Sequence, residues 1–94
     1  MNREEALVIL KEQIARLREL QYNELLEFLD NAISIEVVGS SGTHYQIEME
    51  AIWDREPKSD LRVVVSIDDG SLLRSTFPLV DDFIVLPDGT FVGE

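Results

Sequence analysis

The chain has no cysteine, a single histidine, three prolines and five glycines, and its eight lysines and arginines are far outnumbered by nineteen acidic residues. Each shortage closes off some chemistry. Without cysteine there is no disulfide framework, thiolate zinc site, thiol nucleophile or iron–sulfur cluster. With His44 as the sole imidazole, a metal would have to rest on oxygen ligands. Glycines 39, 42, 70, 89 and 93 have no phosphate-cradling spacing and no lysine follows a glycine run, so no cofactor is expected. No uninterrupted apolar run approaches the roughly 20 residues that span a bilayer. Glutamates stand in "MNREEALVIL" where a secretory signal would carry its apolar core. A soluble, cytoplasmic protein that does not meet membranes is the expectation.

What is present fits one globular domain. Ninety-four residues, 45% hydrophobic and 29% charged, suffice for a single core and lie far from the composition of disordered chains. The scarcity of cations is local. Residues 1 to 20 hold four basic and four acidic residues, whereas residues 21 to 94 hold four basic against fifteen acidic and so carry the whole net charge of −11. That field repels phosphate backbones, so nucleic acid is not an expected partner, and it attracts basic proteins and cations.

Asn2 followed by Glu5 predicts a capped helix start, with Asn as N-cap and Glu reaching back to the unpaired amides. Leu7, Leu10, Ile14 and Leu17 then recur at helical spacing. In "LQYNELLEFLD" the apolar stripe restarts at Tyr22, which predicts a kink or split near residues 21–23, with Asn23 able to cap the fresh turn, or else a continuous bent helix. After Asn31 the period becomes 2. "ISIEVV", the turn "GSSG" and "THYQIEMEAIWD" read as a hairpin with Tyr45, Ile47, Met49, Ala51 and Trp53 on one face. "LRVVVSI" and "LLRSTF" read as a second hairpin closing on Gly70. "FIVL", "PDGT" and "FVGE" read as a terminal strand and a small last hairpin.

The fold class is therefore α+β: an N-terminal helix packed on a four- to five-stranded antiparallel meander, one domain over 1–94 with 1–30 helical and 33–94 forming the sheet. Cystatin-like folds share this order of elements. "EVVGSSG" lacks the glutamine that heads those inhibitors' glycine-centred hairpin, so the comparison is one of element order alone. At "GTHYQIEMEAIWD", "RVVVSIDDG" and "FPLVDDFIVLPDGTFVGE" the sequence resembles a small group of uncharacterised bacterial proteins of about this length, over roughly residues 35 to 94. The resemblance implies a compact single domain and transfers no activity.

The aspartates draw the eye first. Asp68-Asp69-Gly70 and Pro87-Asp88-Gly89 are turn strings, in which Asp and Gly tolerate positive φ. Asp81 and Asp82 obey no such rule and are the candidates for weak divalent-cation binding, set against a capping role in a short turn. His44 is expected on the wet face beside Glu48, without a nucleophile near it, and no catalytic residue is assigned. Tyr45 and Trp53 are candidates for lining a pocket. Ile52, Val64, Leu72 and Val38 fall opposite the core face, and such a patch on neighbouring strands wants a cover, either across the face or along an exposed edge strand. The expected function is a non-enzymatic, acidic binding or regulatory module acting through protein–protein contacts, homodimeric through Ile52, Val64 and Leu72 and able to meet a basic partner. The alternative is a small-ligand-binding domain or small enzyme using a sheet-face pocket.

Overall fold

The computed structural model describes residues 2–70 and 78–93. Helix α1 spans Arg3–Arg18, and Asn2 caps it by accepting the Glu5 amide at 3.1 Å. Glu4 and Glu5 occupy its first turn and Arg16 and Arg18 its last, each sign placed favourably against the helix dipole. Its buried residues are Ala6, Leu10, Ile14 and Leu17. Leu7, expected to open this stripe, is instead 46% exposed. At 100° per residue Leu7 stands about 60° from Leu10, whereas Ala6 stands about 40° away on the other side. The small side chain at 6 therefore faces the sheet.

The helix breaks where the change of phase predicts. Gln21 is extended, and α2 runs over Tyr22–Leu25 and tightens into a 3-10 turn at Leu26–Phe28. Its cap is Gln21, whose amide donates to Glu24 Oε1 at 3.0 Å, and not Asn23 as expected. Tyr22 Oη donates to the carbonyl of Ser59 at 2.6 Å, which tethers this short helix to the loop between two strands.

Four antiparallel strands follow in simple order, β1 (Ile33–Val38), β2 (His44–Trp53), β3 (Leu61–Asp68) and β4 (Leu79–Val85). Alternate residues of β2 and β3 are buried: Tyr45, Ile47, Met49 and Ala51 on one, Leu61, Val63, Val65 and Ile67 on the other. They meet the buried stripe of α1 with Leu25, Phe83 and Val85 to form the core, and every buried residue among those described is apolar. After β4 a turn at Asp88-Gly89 brings Phe91 back to a single bridge with Val85, and Val92 N donates to the Ile84 carbonyl at 3.0 Å. The expected run "LLRSTF", with Leu72, lies outside the described residues.

The last strand differs from expectation in its start. "FIVL" is its second half only, and the ladder already includes Asp81 opposite Val65 and Asp82 opposite Val64. α1 packs mainly against β3 and β4, leaving Ile33 and Ile35 on the same face of β1 at 38% and 36% exposure. No helix among the described residues is long and apolar enough to cross a membrane.

Candidate functional site

Side chains alternate across a pleated sheet, and the register sorts them cleanly here. With α1 covering one face, the other carries Glu36 from β1, Glu48 and Glu50 from β2, Asp68 from β3 and Asp82 from β4. Ile52 and Val64 lie on this face one register step apart, since Ile52 pairs with Arg62 and Val64 with Glu50. Val80 and Ile84 of β4 join them, and Ile52 and Val80 are 48% and 58% exposed. Val38, also exposed, sits on the same face at the far end of β1.

Part of this charge is locally balanced. Arg62 donates through Nε and Nη2 to Asp54 Oδ1 at 3.1 and 2.8 Å and through Nη1 to Asp82 Oδ2. His44 Nδ1 lies 3.2 Å from Glu36 Oε1, and Gln46 Nε2 donates to Glu36 Oε2 at 3.2 Å. His44 is thus on the wet face as expected, with Glu36 and not Glu48 as its neighbour. Glu48 and Glu50 project from β2 as exposed carboxylates.

Asp81 and Asp82 part company because adjacent strand residues face opposite ways. Asp81 turns toward α1 and accepts from Lys11 Nζ at 2.7 Å. The Lys11 ammonium holds its carboxyl below the usual aspartate range, helped by the Asp82 amide, which donates to Asp81 Oδ1. Asp82 turns to the open face and Arg62. The two carboxylates do not converge on one ion, and neither caps a turn or helix: both lie within β4. No group of three metal-ligating side chains occurs among the described residues. Asp68 and Asp88 do sit at turns, but they act through their side chains, and positive φ there is taken by Gly70 and Gly89 and by no aspartate. Asp68 Oδ1 accepts the Gly70 amide at 2.8 Å, with Gly70 at φ 81. Asp88 Oδ1 accepts the Thr90 amide and hydroxyl at 2.9 and 2.7 Å, and these bonds lower its pKa.

The most heavily wired polar group is one that sequence reading assigned to a cap. Glu5 does not reach back along its helix; its carboxylate crosses to the β1–β2 turn. There Oε1 accepts from Ser41 Oγ at 2.6 Å and Tyr45 Oη at 2.7 Å, and Oε2 accepts from the Ser41 amide at 3.0 Å and Ser40 Oγ at 3.1 Å. The Ser41 and Tyr45 hydroxyls, favouring the charged form, bring its pKa down from 4.5 to about 2. Burial, then the Glu5 carboxylate, pushes the Tyr45 phenol up. Gly39 makes room for this junction, since a Cβ there would stand 2.4 Å from Glu5 Oε1 and 3.0 Å from Tyr45 Cε2.

Tyr45 is fully buried with its hydroxyl committed to Glu5, and Trp53 lies half-buried eight residues along β2, roughly 27 Å away in an extended strand. The two therefore do not line one pocket. A groove of about 550 Å³ does open between the first half of α1 and the end of β1, with Glu4, Val8 and Glu12 on the helix side and Val37 and Val38 on the strand side. At the opposite end of α1, Arg18 lies 4.4 Å from the Phe91 ring centroid and 5.8 Å from that of Phe83, fastening the terminal turn to the helix. The structure defines a helix-on-sheet α+β domain with one sheet face packed and the other acidic and uncovered among the described residues. No family model, curated protein sequence or solved structure matches the chain.

Proposed function

We propose that this protein is a non-enzymatic binding module that acts in the cytoplasm through protein–protein contacts, with the sheet face left uncovered among the described residues as the contact surface. The observation that carries the reading is the division of that face. Ile52, Val64, Val80 and Ile84 lie diagonally across β2, β3 and β4 with the Arg62–Asp82 ion pair between them, while Glu36, Glu48 and Glu50 supply charge toward β1. Apolar side chains on neighbouring strands, Ile52 and Val80 exposed and Val64 and Ile84 half-buried, interleaved with charge, have the composition of a contact patch. A second copy covers the apolar half, and the acidic half is left to attract a basic protein. The alternative reading, a small-ligand site or enzyme built on Tyr45 and Trp53, loses support from their separation along β2.

The test is molar mass in solution by light scattering across protein concentration, for the parent and for the double substitution Ile52→Lys, Val80→Lys. Both sites are exposed, so the fold tolerates the charges. A parent dimer converted to monomer by the substitutions is the expected result. A parent that stays monomeric throughout and binds no basic protein in a salt-sensitive way would overturn the proposal.

A further inference from the structure

β1 ends the sheet, and the strand order gives its outer edge no partner among the described residues. An edge strand presents a row of unpaired amides and carbonyls, which proteins commonly blunt with proline, lysine or a bulge. "ISIEVV" has no proline or lysine, and its pairing runs unbroken from Ile33↔Met49 to Val38↔His44. The side of this strand that faces the helix layer is also unfinished. Ile33 and Ile35 are more than a third exposed, and in the groove that opens beyond them, at Val37 and Val38, Val8 of α1 is 58% exposed. The helix residues that line the groove include Glu4, Glu5 and Glu12, and no cation stands among its described lining residues. Glu5 is occupied by the β1–β2 turn, so Glu4 and Glu12 are the lining carboxylates left to meet a cation.

We infer that the β1 edge and the adjoining α1 groove form a docking site for an extended basic peptide segment, bound as an added strand whose apolar residues alternate with lysine or arginine. The chemistry follows from the pleat. Backbone groups of the added strand complete the open ladder, which gives affinity without sequence demands. Its residues on the helix side fall beside Ile33, Ile35 and Val37 and toward Val8, where apolar side chains gain most. Its alternate residues fall beside Ser34, Glu36 and Val38 on the open face, and its flanks pass Glu4 and Glu12, where a cation is favoured. A second copy is the poorer occupant of the edge, because its own β1, "ISIEVV", brings no cation to Glu4, Glu12 or Glu36. The inference rests on the protein-binding reading but places the partner on a different surface.

The probe is a synthetic peptide of about eight alternating valine and lysine residues, enough to span the edge strand, with a valine–glutamate peptide of equal length as control. Methyl and amide NMR of the full chain reads the location. The lysine peptide is expected to shift Val8, Ile33 and Ile35 methyls and slow β1 amide exchange, and the glutamate peptide to do neither. Its affinity should fall at least about tenfold when salt is raised from about 20 to about 300 mM. Glu4→Lys with Glu12→Lys should weaken it by a similar factor while leaving the protein's own molar mass unchanged. Ile35→Lys gives a second variant, at an exposed edge position, expected to abolish the shifts. Unchanged affinity in these variants, or no shifts at β1, would overturn the inference. Shifts confined to Ile52, Val64 and Val80 would do the same while leaving the open-face reading standing. Concentration-dependent protection of β1 in the protein alone, strengthening with salt, would assign the edge to a second copy and also overturn it. Binding at β1 by a protein that never dimerises would sustain the inference and remove only the second copy from the open face.

Discussion

The Glu5 carboxylate gathers four donors and titrates near 2 when folded, against 4.5 for the ordinary side chain. Because the folded pKa is depressed, the unfolded chain takes up the proton first. The stabilisation from these bonds is full above about pH 4.5 and is lost as the pH falls toward about 2. Glu5→Gln should therefore lower stability at neutral pH, and its deficit against the parent should shrink over that window. Urea titrations at a series of pH values check this, and a deficit that stays constant down to pH about 2 would contradict it. Gly39→Ala should cost about 1–3 kcal/mol, the usual range for overpacking a fitted site. In a Glu5→Ala background the cost should be smaller, since the added methyl then meets the ring of Tyr45 but no pinned carboxylate. A double-mutant cycle measures that coupling. The sequence shows at this site a sound N-cap, which Asn2 supplies. It does not show where the Glu5 side chain goes, because its partners lie 35 to 40 positions along the chain.

Among elements, α1 tests how finely periodicity can be read. Leu10 is 1% and Leu7 46% exposed, so Leu10→Ala should cost about 2–5 kcal/mol and Leu7→Ala less than about 1 kcal/mol. Thermal or urea unfolding of the pair decides whether the helix sits in this rotation. The Lys11–Asp81 bond joins α1 to β4, but the Lys11 side chain is 62% exposed. Asp81→Asn should accordingly cost no more than about 1 kcal/mol, and a much larger loss would mean that the pair orients the helix. The helix break near Gln21 and the inward faces of β2 and β3 were legible because strict alternation and a change of phase are local patterns. The start of β4 was not. Two aspartates interrupt its apolar run, and a strand accepts them there because Lys11 waits on one face and Arg62 on the other.

The whole molecule carries nineteen acidic against eight basic residues, so at least eleven carboxylates have no cation to match. Self-repulsion of this kind opposes the compact state, and the exposed ion pairs that salt would weaken are individually small. The melting temperature should therefore rise as salt shortens the Debye length from about 20 Å or more to about 6 Å. A fall would show that ion-pair networks outweigh the net charge. Salt likewise separates the two kinds of partner: it favours association of like-charged copies and disfavours capture of a basic segment.

The sequence by itself determined the α+β class, a change of helical phase near residues 21–23, the faces of the long strands and the turns at Gly70 and Gly89, since each follows from periods and dipeptides within a few residues. It also determined the acidity and the absence of thiol chemistry. Only the tertiary structure decided that Asp81 and Asp82 face apart, that Tyr45 serves Glu5, and that α1 leans over β3 and β4 to leave the inward face of β1 half uncovered. Those outcomes depend on the rotation and placement of the helix over the sheet, which is set by the packing of Ala6, Leu10, Ile14 and Leu17 together and not by any local stretch of chain.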